Sequence, residues 1–289
     1  LIAKEATQLL FLVHLLSNKK EEKMGKNPLL ENMKSGKTSI GVYINSPDMV
    51  ELCAHLGFDF FAIDQMFTDL DWAKTLELVR TGEAAGITPV VRIQSNPWMG
   101  YDHRLAVEVT RASGIGAQFI LVSHSCKKEI EECIKAATWH RRALWVHPFN
   151  SFDEWDKKID KMEEETFVIP HVESKGGLAE LEETLSIPGL RMFYFAMTDL
   201  SKQMRDAAKP DWYYPKLWEH VNKAVEIGKK KGITIAANTS YAYDMEEMRK
   251  RVKKLHDAGV KMIHIQTAPF LFQVAIGNWL KGVKSDLGF

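Results

Sequence analysis

Short apolar runs alternate with stretches of helical periodicity along most of the chain, beginning near Thr38. Such runs are typical of strands buried on both faces of a parallel sheet. The strand candidates are residues 39–44, 58–63, 89–93, 118–122, 167–172, 191–196, 233–237 and 262–266. Between them, the periodicity predicts helices over 48–56, 70–85, 103–113, 127–137, 178–185, 215–231 and 245–258. Eight strand–helix units without a linker predict an α/β protein that forms a single (β/α)8 TIM barrel.

One further apolar run does not fit a count of eight strands. Residues 143–148, with the sequence Ala-Leu-Trp-Val-His-Pro, resemble a strand between the fourth and fifth candidates. Either this run is a barrel strand and the assignment is shifted by one, or it belongs to a long loop between a strand and its helix.

Both ends of the chain carry apolar segments outside the barrel pattern. Residues 9–16 are apolar, but this run is too short and too closely flanked by acidic residues to span a bilayer. We expect an accessory helix there, within an N-terminal helical extension over residues 1–34; a signal peptide is the alternative, although a small-residue cleavage pattern is missing. The barrel domain is expected over 35–289. Its last helix, 269–280, is strongly apolar and packs either on the barrel or on a partner subunit.

The composition narrows the classes of function. Of the 289 residues, 45% are hydrophobic and 26% are charged, as in an ordinary globular protein. Lys and Arg together number 38, as do Asp and Glu, so no net charge favours nucleic acid or an anionic membrane. Cys53, Cys126 and Cys133 show no spacing typical of a metal site or redox motif. We therefore expect reduced thiols and a cytoplasmic location.

Polar residues follow the predicted strands at their carboxyl ends, where TIM barrels carry their active sites. These residues are Asn45, Asp64, Arg92, Ser123, Glu173, Thr198 with Asp199, Asn238 and Gln266. Glu173 and Asp199 follow consecutive strands joined by a helix, so parallel pairing brings their carboxylates close together. Carboxylate oxygens are ligands that hard divalent cations prefer. The alternative is that the two carboxylates cap helices or form surface salt bridges.

Three other residues near these strand ends admit two interpretations each. His171 and Glu173 share one face of their strand, so His171 is either a hydrogen-bonded core histidine or a metal ligand or base beside the cation. Arg92 is either a structural ion-pair partner or a cationic contact for an oxyanionic substrate. Asp64 either orients a neighbouring side chain or acts on the substrate directly.

Five segments together resemble a known family. They are Thr38-Ser-Ile-Gly-Val-Tyr-Ile-Asn-Ser-Pro47, Phe60-Phe-Ala-Ile-Asp64, Pro89-Val-Val-Arg92, Val172-Glu173-Ser174 and Thr198-Asp199-Leu-Ser201. From about residue 35 to the C-terminus, the chain resembles the HpcH/HpaI family of class II, metal-dependent pyruvate aldolases, which includes macrophomate synthase. The first three segments resemble the family's first three strands, and the last two resemble its metal-ligand segments. The resemblance favours the loop interpretation of residues 143–148.

The resemblance implies a cation and a substrate class. The cation would be Mg²⁺, or alternatively Mn²⁺ or Co²⁺, held by Glu173 and Asp199. A 2-oxo acid such as pyruvate or oxaloacetate would chelate it through carboxylate and keto oxygens. Backbone amides around Ala196, Met197 and Thr198 would hold the substrate carboxylate.

One more catalytic residue and an assembly are implied in the same way. Arg92 would stabilise, together with the cation, the enolate that develops on the keto oxygen. Family members are typically homo-oligomers, trimers or hexamers, in which the last helix is exchanged between subunits. The apolar helix at 269–280 fits that role.

The chain departs from the family at positions that concern proton transfer. The family's second strand ends in Asp-Gly-Glu-His, and this histidine, paired with the aspartate, is the usual base. Here Asp64 is followed three positions later by Phe67, which cannot transfer a proton. His171 stands where the family usually has glutamine. The acidic residue before the family's Gly-Ala segment is absent at 113–117, and residues 139–148 replace a loop rich in Tyr-Pro-Pro and Arg-Gly.

The cation half of the predicted site is thus retained, while the proton-transfer half is altered. General acid–base catalysis commonly contributes about 10²–10⁴ in rate, so its loss demands a replacement or a different reaction. Decarboxylation of an oxaloacetate-like acid forms the enolate without a base; alternatively, His171, His147 or His124 serves as a relocated base. We predict a metal-dependent carbon–carbon lyase, an aldolase or decarboxylase, acting on a 2-oxo acid. Another enolate reaction, or a non-catalytic protein that binds a metal and an oxo acid, is the alternative.

Overall fold

Eight parallel strands pair in sequence order and close into a barrel, since the last strand pairs with the first. The structure is a computed structural model that describes residues 27–98, 100–124, 126–137, 151–204 and 212–288. The strands are β1 (Ser39–Tyr43), β2 (Phe60–Asp64), β3 (Thr88–Arg92), β4 (Phe119–Ser123), β5 (Phe167–Val172), β6 (Met192–Phe195), β7 (Thr234–Asn238) and β8 (Met262–Thr267). The predicted (β/α)8 barrel is confirmed, and each strand begins and ends within about two residues of its prediction.

Helices precede, connect and follow the strands. In the described ranges they are α1 (Pro28–Ser35), α2 (Pro47–Leu56), α3 (Trp72–Ala85), α4 (Leu105–Gly114), α5 (Lys127–Ala136), α6 (Phe152–Glu164), α7 (Lys175–Ala179), α8 (Leu181–Thr184), α9 (Met197–Met204), α10 (Pro215–Lys231), α11 (Met245–Ala258) and α12 (Ala268–Asp286). Within those ranges, no helix combines the length and apolar character that a membrane span requires.

Several helices differ from the sequence expectation. The patterns do not predict α6 or α9. The single helix expected over 178–185 is instead the short pair α7 and α8, because Glu180 between them departs from helical geometry, with φ −91° and ψ 14°. The last helix extends to Asp286 and is longer than the predicted 269–280.

Two sequence predictions lie outside the described residues. These are the accessory helix over 9–16 and the strand-like run at 143–148. The barrel closes with eight strands that are all described, so its closure does not use residues 143–148.

Side chains pointing into the barrel form an apolar core distinct from the one between strands and helices. The inner core contains Phe60 and Phe119, both fully buried, and α1 adds Leu29 and Leu30 to it. The Leu29 amide donates to Oγ1 of Thr88, the first residue of β3, at 3.1 Å. Thus α1 closes the amino-terminal end of the barrel, and the carboxyl-terminal end is left for the site.

Candidate active site

A cavity of about 830 Å³ opens at the carboxyl-terminal ends of the strands. The residues predicted for the site that line this cavity are Asp64, Arg92, His171, Thr198 and Asp199. Glu173 is fully buried beside them and contacts the cavity-lining Arg92. The fold therefore brings these predicted residues to one end of the barrel.

Arg92, the last residue of β3, is held by its neighbours. Its Nη2 donates to Oε2 of Glu173 at 2.8 Å and to Oγ of Ser123 at 3.1 Å, and Nη1 lies 3.5 Å from Oδ2 of Asp64. Burial works against the charged guanidinium, yet the nearby Tyr43 hydroxyl and the two carboxylates outweigh it and raise the pKa of Arg92. Its Nε is buried without a hydrogen-bond partner among the described residues. Arg92 is thus both an ion-pair partner and a cavity residue.

One carboxylate oxygen of Glu173 has no hydrogen-bond partner among the described residues. Oε2 accepts from Arg92, whereas the buried Oε1 accepts no hydrogen bond from the described residues. Burial raises the pKa of Glu173, but His171, Arg92 and Ser123 together outweigh it and hold this pKa below its usual value. A buried, ionised oxygen without a partner is energetically costly. A cation or a donor from a ligand would satisfy it.

Asp199, in the first turn of α9, supplies the second carboxylate. Burial, and then the negative charge of Glu173, raise the pKa of Asp199. The charge of Glu173 therefore disfavours the charged form of Asp199, and a cation held by both carboxylates would remove that penalty. No group of three or more His, Cys, Asp or Glu side chains suited to a metal occurs in the described part of the chain. Two carboxylates nevertheless fit Mg²⁺, which is usually bound by one or two carboxylates and keeps water and substrate oxygens as its other ligands.

His171 is a hydrogen-bonded core histidine that also lines the cavity. Its Nδ1 lies 3.1 Å from Oγ of Ser123 and 3.4 Å from Oε2 of Glu173, and its ring stacks on Tyr194 with 4.6 Å between centroids. Burial, reinforced by the charge of Arg92, lowers the pKa of His171. Since Nδ1 is engaged, Nε2 is the nitrogen left for a proton or a ligand.

The other histidines considered as a base differ from His171. His124 does not line the cavity, and burial lowers its pKa to about 4. His147 lies outside the described residues.

The backbone amides predicted to hold a carboxylate are only partly available. The Ala196 amide donates to the carbonyl of Val172 at 2.9 Å, so sheet pairing occupies its N–H in this structure. Met197 and Thr198 begin α9, and the first N–H groups of a helix have no acceptor within it. These two amides remain suited to an anion.

Three polar residues inside the barrel are absent from the sequence predictions: Tyr43, Tyr194 and His264. The rings of Tyr43 and His264 stack with 4.5 Å between centroids, and the Tyr194 hydroxyl lies 3.1 Å from Nδ1 of His264. Alternation along β6 and β8 places Tyr194 and His264 on the same inner face as Met192 and Met262. This alternation is the sequence signal that could have placed Tyr194 and His264 inside the barrel.

The chain's family follows from a match over most of the barrel. The family model of the HpcH/HpaI aldolase/citrate lyase family matches residues 40–268. This chain belongs to the HpcH/HpaI family. The family resemblance in the sequence is thereby confirmed.

Individual HpcH/HpaI relatives agree with this assignment. A hydroxypyruvate/pyruvate aldolase from Sagittula stellata is 23% identical over 192 residues, which cover 64% of this chain and 73% of that protein. An HpcH/HpaI aldolase structure from Desulfitobacterium hafniense matches with a TM-score of 0.74 at 19% identity, over 88% of this chain and 95% of that one. Macrophomate synthase matches with a TM-score of 0.68 at 18% identity, over 91% and 90% of the two chains. The structural matches support the fold, and the family with its relatives indicates aldolase or lyase activity on oxo acids.

Proposed function

We propose that this HpcH/HpaI protein is a divalent-metal-dependent carbon–carbon lyase, an aldolase or decarboxylase, that acts on a 2-oxo acid through an enolate. The observation that carries the proposal is the buried Oε1 of Glu173, which has no partner among the described residues. Beside it, Asp199 has a pKa raised by burial and by the charge of Glu173. Both features are those of a site built around a cation, and members of the family generally depend on a divalent metal.

Glu173 and Asp199 would hold the cation, Mg²⁺ or alternatively Mn²⁺ or Co²⁺. When bound, the cation supplies Lewis-acid stabilisation of charge on the keto oxygen. The amides of Met197 and Thr198, at the start of α9, donate to the substrate carboxylate. A hydrogen bond of 3.4 Å from Thr198 Oγ1 to Asn238 Oδ1 ties this turn to β7.

Arg92 stabilises negative charge as it develops on the substrate. Its guanidinium is oriented by Glu173, Ser123 and Asp64 before substrate binds. A donor that is already oriented needs no reorganisation during the reaction, which is the main source of electrostatic stabilisation in enzymes.

Asp64 and His171 have two further roles in this proposal: Asp64 orients its neighbours, and His171 acts as the base. Asp64 accepts from the amides of Met66 and Phe67 at 2.9 and 3.3 Å and faces Arg92 through its other oxygen, so it orients both Arg92 and the following loop. His171, through Nε2, removes the proton from the carbon next to the keto group when the enolate forms by deprotonation. Decarboxylation needs no such base, because CO₂ leaves in place of the proton.

Two reactions test the proposal. Oxaloacetate decarboxylation and exchange of the pyruvate methyl protons in D₂O are followed by NMR, each with and without Mg²⁺ or Mn²⁺. We expect metal-dependent decarboxylation, with methyl exchange reporting a working base. Absence of both reactions while Mn²⁺ binds would contradict the lyase assignment.

Glu173→Gln tests the site itself. The substitution keeps the shape but removes the charge, so Mn²⁺ affinity falls and metal-dependent turnover drops by at least about 100-fold. Calorimetry measures the first and the decarboxylation assay the second. Glu182→Gln is the matched control, because the Glu182 side chain is 64% exposed and pairs with Lys223 on the surface. If Glu173→Gln retains both metal affinity and activity, the metal ligands are assigned wrongly.

A further inference from the structure

The two walls of the cavity differ in charge. Among the described residues, its charged lining residues are Asp64, Arg92, Asp199 and Lys202, and they come from β2, β3 and α9, the helix that follows β6. The ends of β7, β8 and β1, with the segments after them, form the other wall, and none of its described lining residues is Asp, Glu, Lys or Arg. We call this second side the uncharged wall. Burial, and then the nearby His171 and Arg92, lower the pKa of His264 on this wall.

The uncharged wall faces the proposed cation site. In a closed barrel of eight strands, β1 lies across from β5 and β8 lies across from β4. Glu173 follows β5 directly, so Asn45 after β1 and Gln266 on β8 stand on the far side of the cavity. The part of a substrate that is not held beside Glu173 therefore meets these neutral side chains.

Gln266 occupies this wall in a backbone conformation that side-chain-bearing residues rarely adopt. Its φ is 151°, and it lies in an irregularity of β8, where Gly41 pairs with His264 but Tyr43 pairs with Thr267. The residue is buried, with 7% exposed, and it lines the cavity. Strained backbone of this kind is concentrated at ligand sites, and β-bulges beside active sites redirect a side chain.

The side chain of Gln266 is thus positioned at the cavity surface, where it can contact a ligand. A carboxamide has both donors and acceptors, which suits a hydroxyl group, itself a donor and an acceptor. Asn45, on the adjacent strand end, presents the same chemistry.

We propose that the uncharged wall binds the electrophile of an aldol reaction, and that this electrophile is an uncharged aldehyde bearing a hydroxyl group next to the carbonyl. The inference rests on the proposed function, because it requires the nucleophilic 2-oxo acid at the opposite wall. Gln266 and, to a lesser extent, Asn45 determine this specificity by hydrogen-bonding the hydroxyl. A carboxylate on the aldehyde would meet no Lys or Arg among the described residues of this wall, and its desolvation would be uncompensated there.

The reaction balances without an oxidant or reductant. A proton leaves C3 of pyruvate, C3 forms a bond to the aldehyde carbon, and the aldehyde oxygen receives a proton. The product is a 4-hydroxy-2-oxo acid with a further hydroxyl at C5, and the reverse reaction breaks the same C3–C4 bond.

Three two-carbon aldehydes separate the possibilities because they differ in one group. Glycolaldehyde carries a hydroxymethyl group, acetaldehyde a methyl group and glyoxylate a carboxylate. With pyruvate and Mn²⁺, we expect kcat/KM for glycolaldehyde to exceed that for each of the others by about tenfold, a discrimination typical of a hydrogen bond to the substrate. Equal or higher kcat/KM with glyoxylate overturns the inference.

The Gln266→Gly variant tests whether the Gln266 side chain causes the preference for glycolaldehyde. In the metal-free protein this variant unfolds at a temperature no lower than the wild type, since glycine adopts positive φ without strain. With Mn²⁺, the glycolaldehyde-to-acetaldehyde ratio falls from about ten to about one, as expected on loss of one hydrogen bond. Asn45→Ala, at an exposed position, lowers the same ratio by a smaller factor.

The outcomes distinguish the inference from the function on which it rests. Metal-dependent decarboxylation of oxaloacetate with no preference among the aldehydes overturns the inference alone. A Gln266→Gly variant that is destabilised yet keeps the wild-type ratio shows a structural role for Gln266 and also overturns it. Absence of metal-dependent turnover on every substrate overturns the proposed function.

Discussion

Phe67 covers the guanidinium of Arg92 at the mouth of the cavity, with 4.9 Å from the guanidinium carbon to the ring centroid. The ring is 64% exposed, and a contact of this kind contributes only about 0.5–1 kcal/mol at an exposed site. The family resemblance places the usual catalytic histidine at this position. Asp64, that histidine's partner in the family, instead accepts the Phe67 amide here. The fold therefore does not require the phenyl ring, and the position is open to a test of function.

Phe67→His places an imidazole beside Asp64 and Arg92. We expect metal-dependent exchange of the pyruvate methyl protons in D₂O to accelerate by about 100-fold, the lower range of general acid–base catalysis. NMR follows the loss of the methyl signal. Phe67→Ala is the control, because it removes the ring without adding a base. Equal exchange rates in the two variants would show that proton transfer is supplied elsewhere.

At the scale of single elements, β1 and β2 approach each other closely at Gly41. A Cβ on this residue would lie 2.4 Å from ring carbons of Phe60 and 2.5 Å from its backbone oxygen. The ring could shift, but the backbone oxygen belongs to β2, so relief requires movement of a strand that ends at Asp64. The spacing of this strand pair thus affects both stability and the site.

Gly41→Ala should lower the free energy of unfolding by about 1–3 kcal/mol, the usual range for overpacking. Urea denaturation followed by circular dichroism measures the change. Gly282→Ala, within α12, is the matched control: no atom lies within 4 Å of its Cβ position, and helix propensity predicts a gain of about 0.5–1 kcal/mol. A Gly41→Ala protein as stable as the wild type would contradict the close approach.

The sequence pattern predicted some of these elements and missed others. The eight strands were predictable because each is a continuous apolar run whose two faces are both buried. The α9 helix was not, because its eight residues are too few to show a period. The pair α7 and α8 was predicted as one helix, since nothing in the sequence marks the break at Glu180.

For the whole molecule, buried histidines make stability depend on pH, and two of them, His124 and His264, lie apart from the proposed metal ligands. Burial, with His171 nearby, lowers the pKa of His124 to about 4. Burial, with His171 and Arg92 nearby, holds the pKa of His264 well below its usual value. Between about pH 6.5 and pH 4 the unfolded chain binds protons at these positions and the folded chain does not. The free energy of unfolding therefore falls as the pH falls through this window.

We expect each of the two histidines to lower the unfolding free energy by up to about 1.4 kcal/mol per pH unit across that window. Urea titrations at pH 7, 6 and 5 measure it. His264→Asn should reduce the slope, because one of the protonating groups is gone. Equal stability at pH 7 and pH 5 would show that the folded protein takes up protons over this range as readily as the unfolded chain does, which would contradict the lowered pKa values.

The exposed surface of α12 bears on assembly. Phe272, Ile276 and Trp279 are 67%, 43% and 64% exposed, and their spacing places them on one side of the helix. An exposed apolar stripe of this kind is typical of an interface. We therefore propose that the protein is a homo-oligomer, a trimer or hexamer, whose last helix is exchanged, as the family resemblance implies.

Replacing both aromatic residues, Phe272→Asp with Trp279→Asp, should yield a monomer, because two charges would be buried at the interface. Light scattering coupled to size-exclusion chromatography gives the mass. Lys284→Asp in the same helix is the control for added negative charge. An unchanged oligomeric mass in the double variant would exclude this stripe as the interface.

The sequence by itself determined the barrel and its strand ends, and it placed Glu173, Asp199 and Arg92 at those ends, because strand patterns are local and parallel strands place their carboxyl ends together. Tertiary structure alone decided what those residues contact. The ion pair of Arg92 with Glu173 joins strands far apart in the chain. The same is true of the surroundings that leave Oε1 of Glu173 without a partner among the described residues, and of the division of the described cavity lining into charged and uncharged walls. Such contacts depend on how the barrel closes and on the register of its strands, and the order of residues along one strand does not specify either.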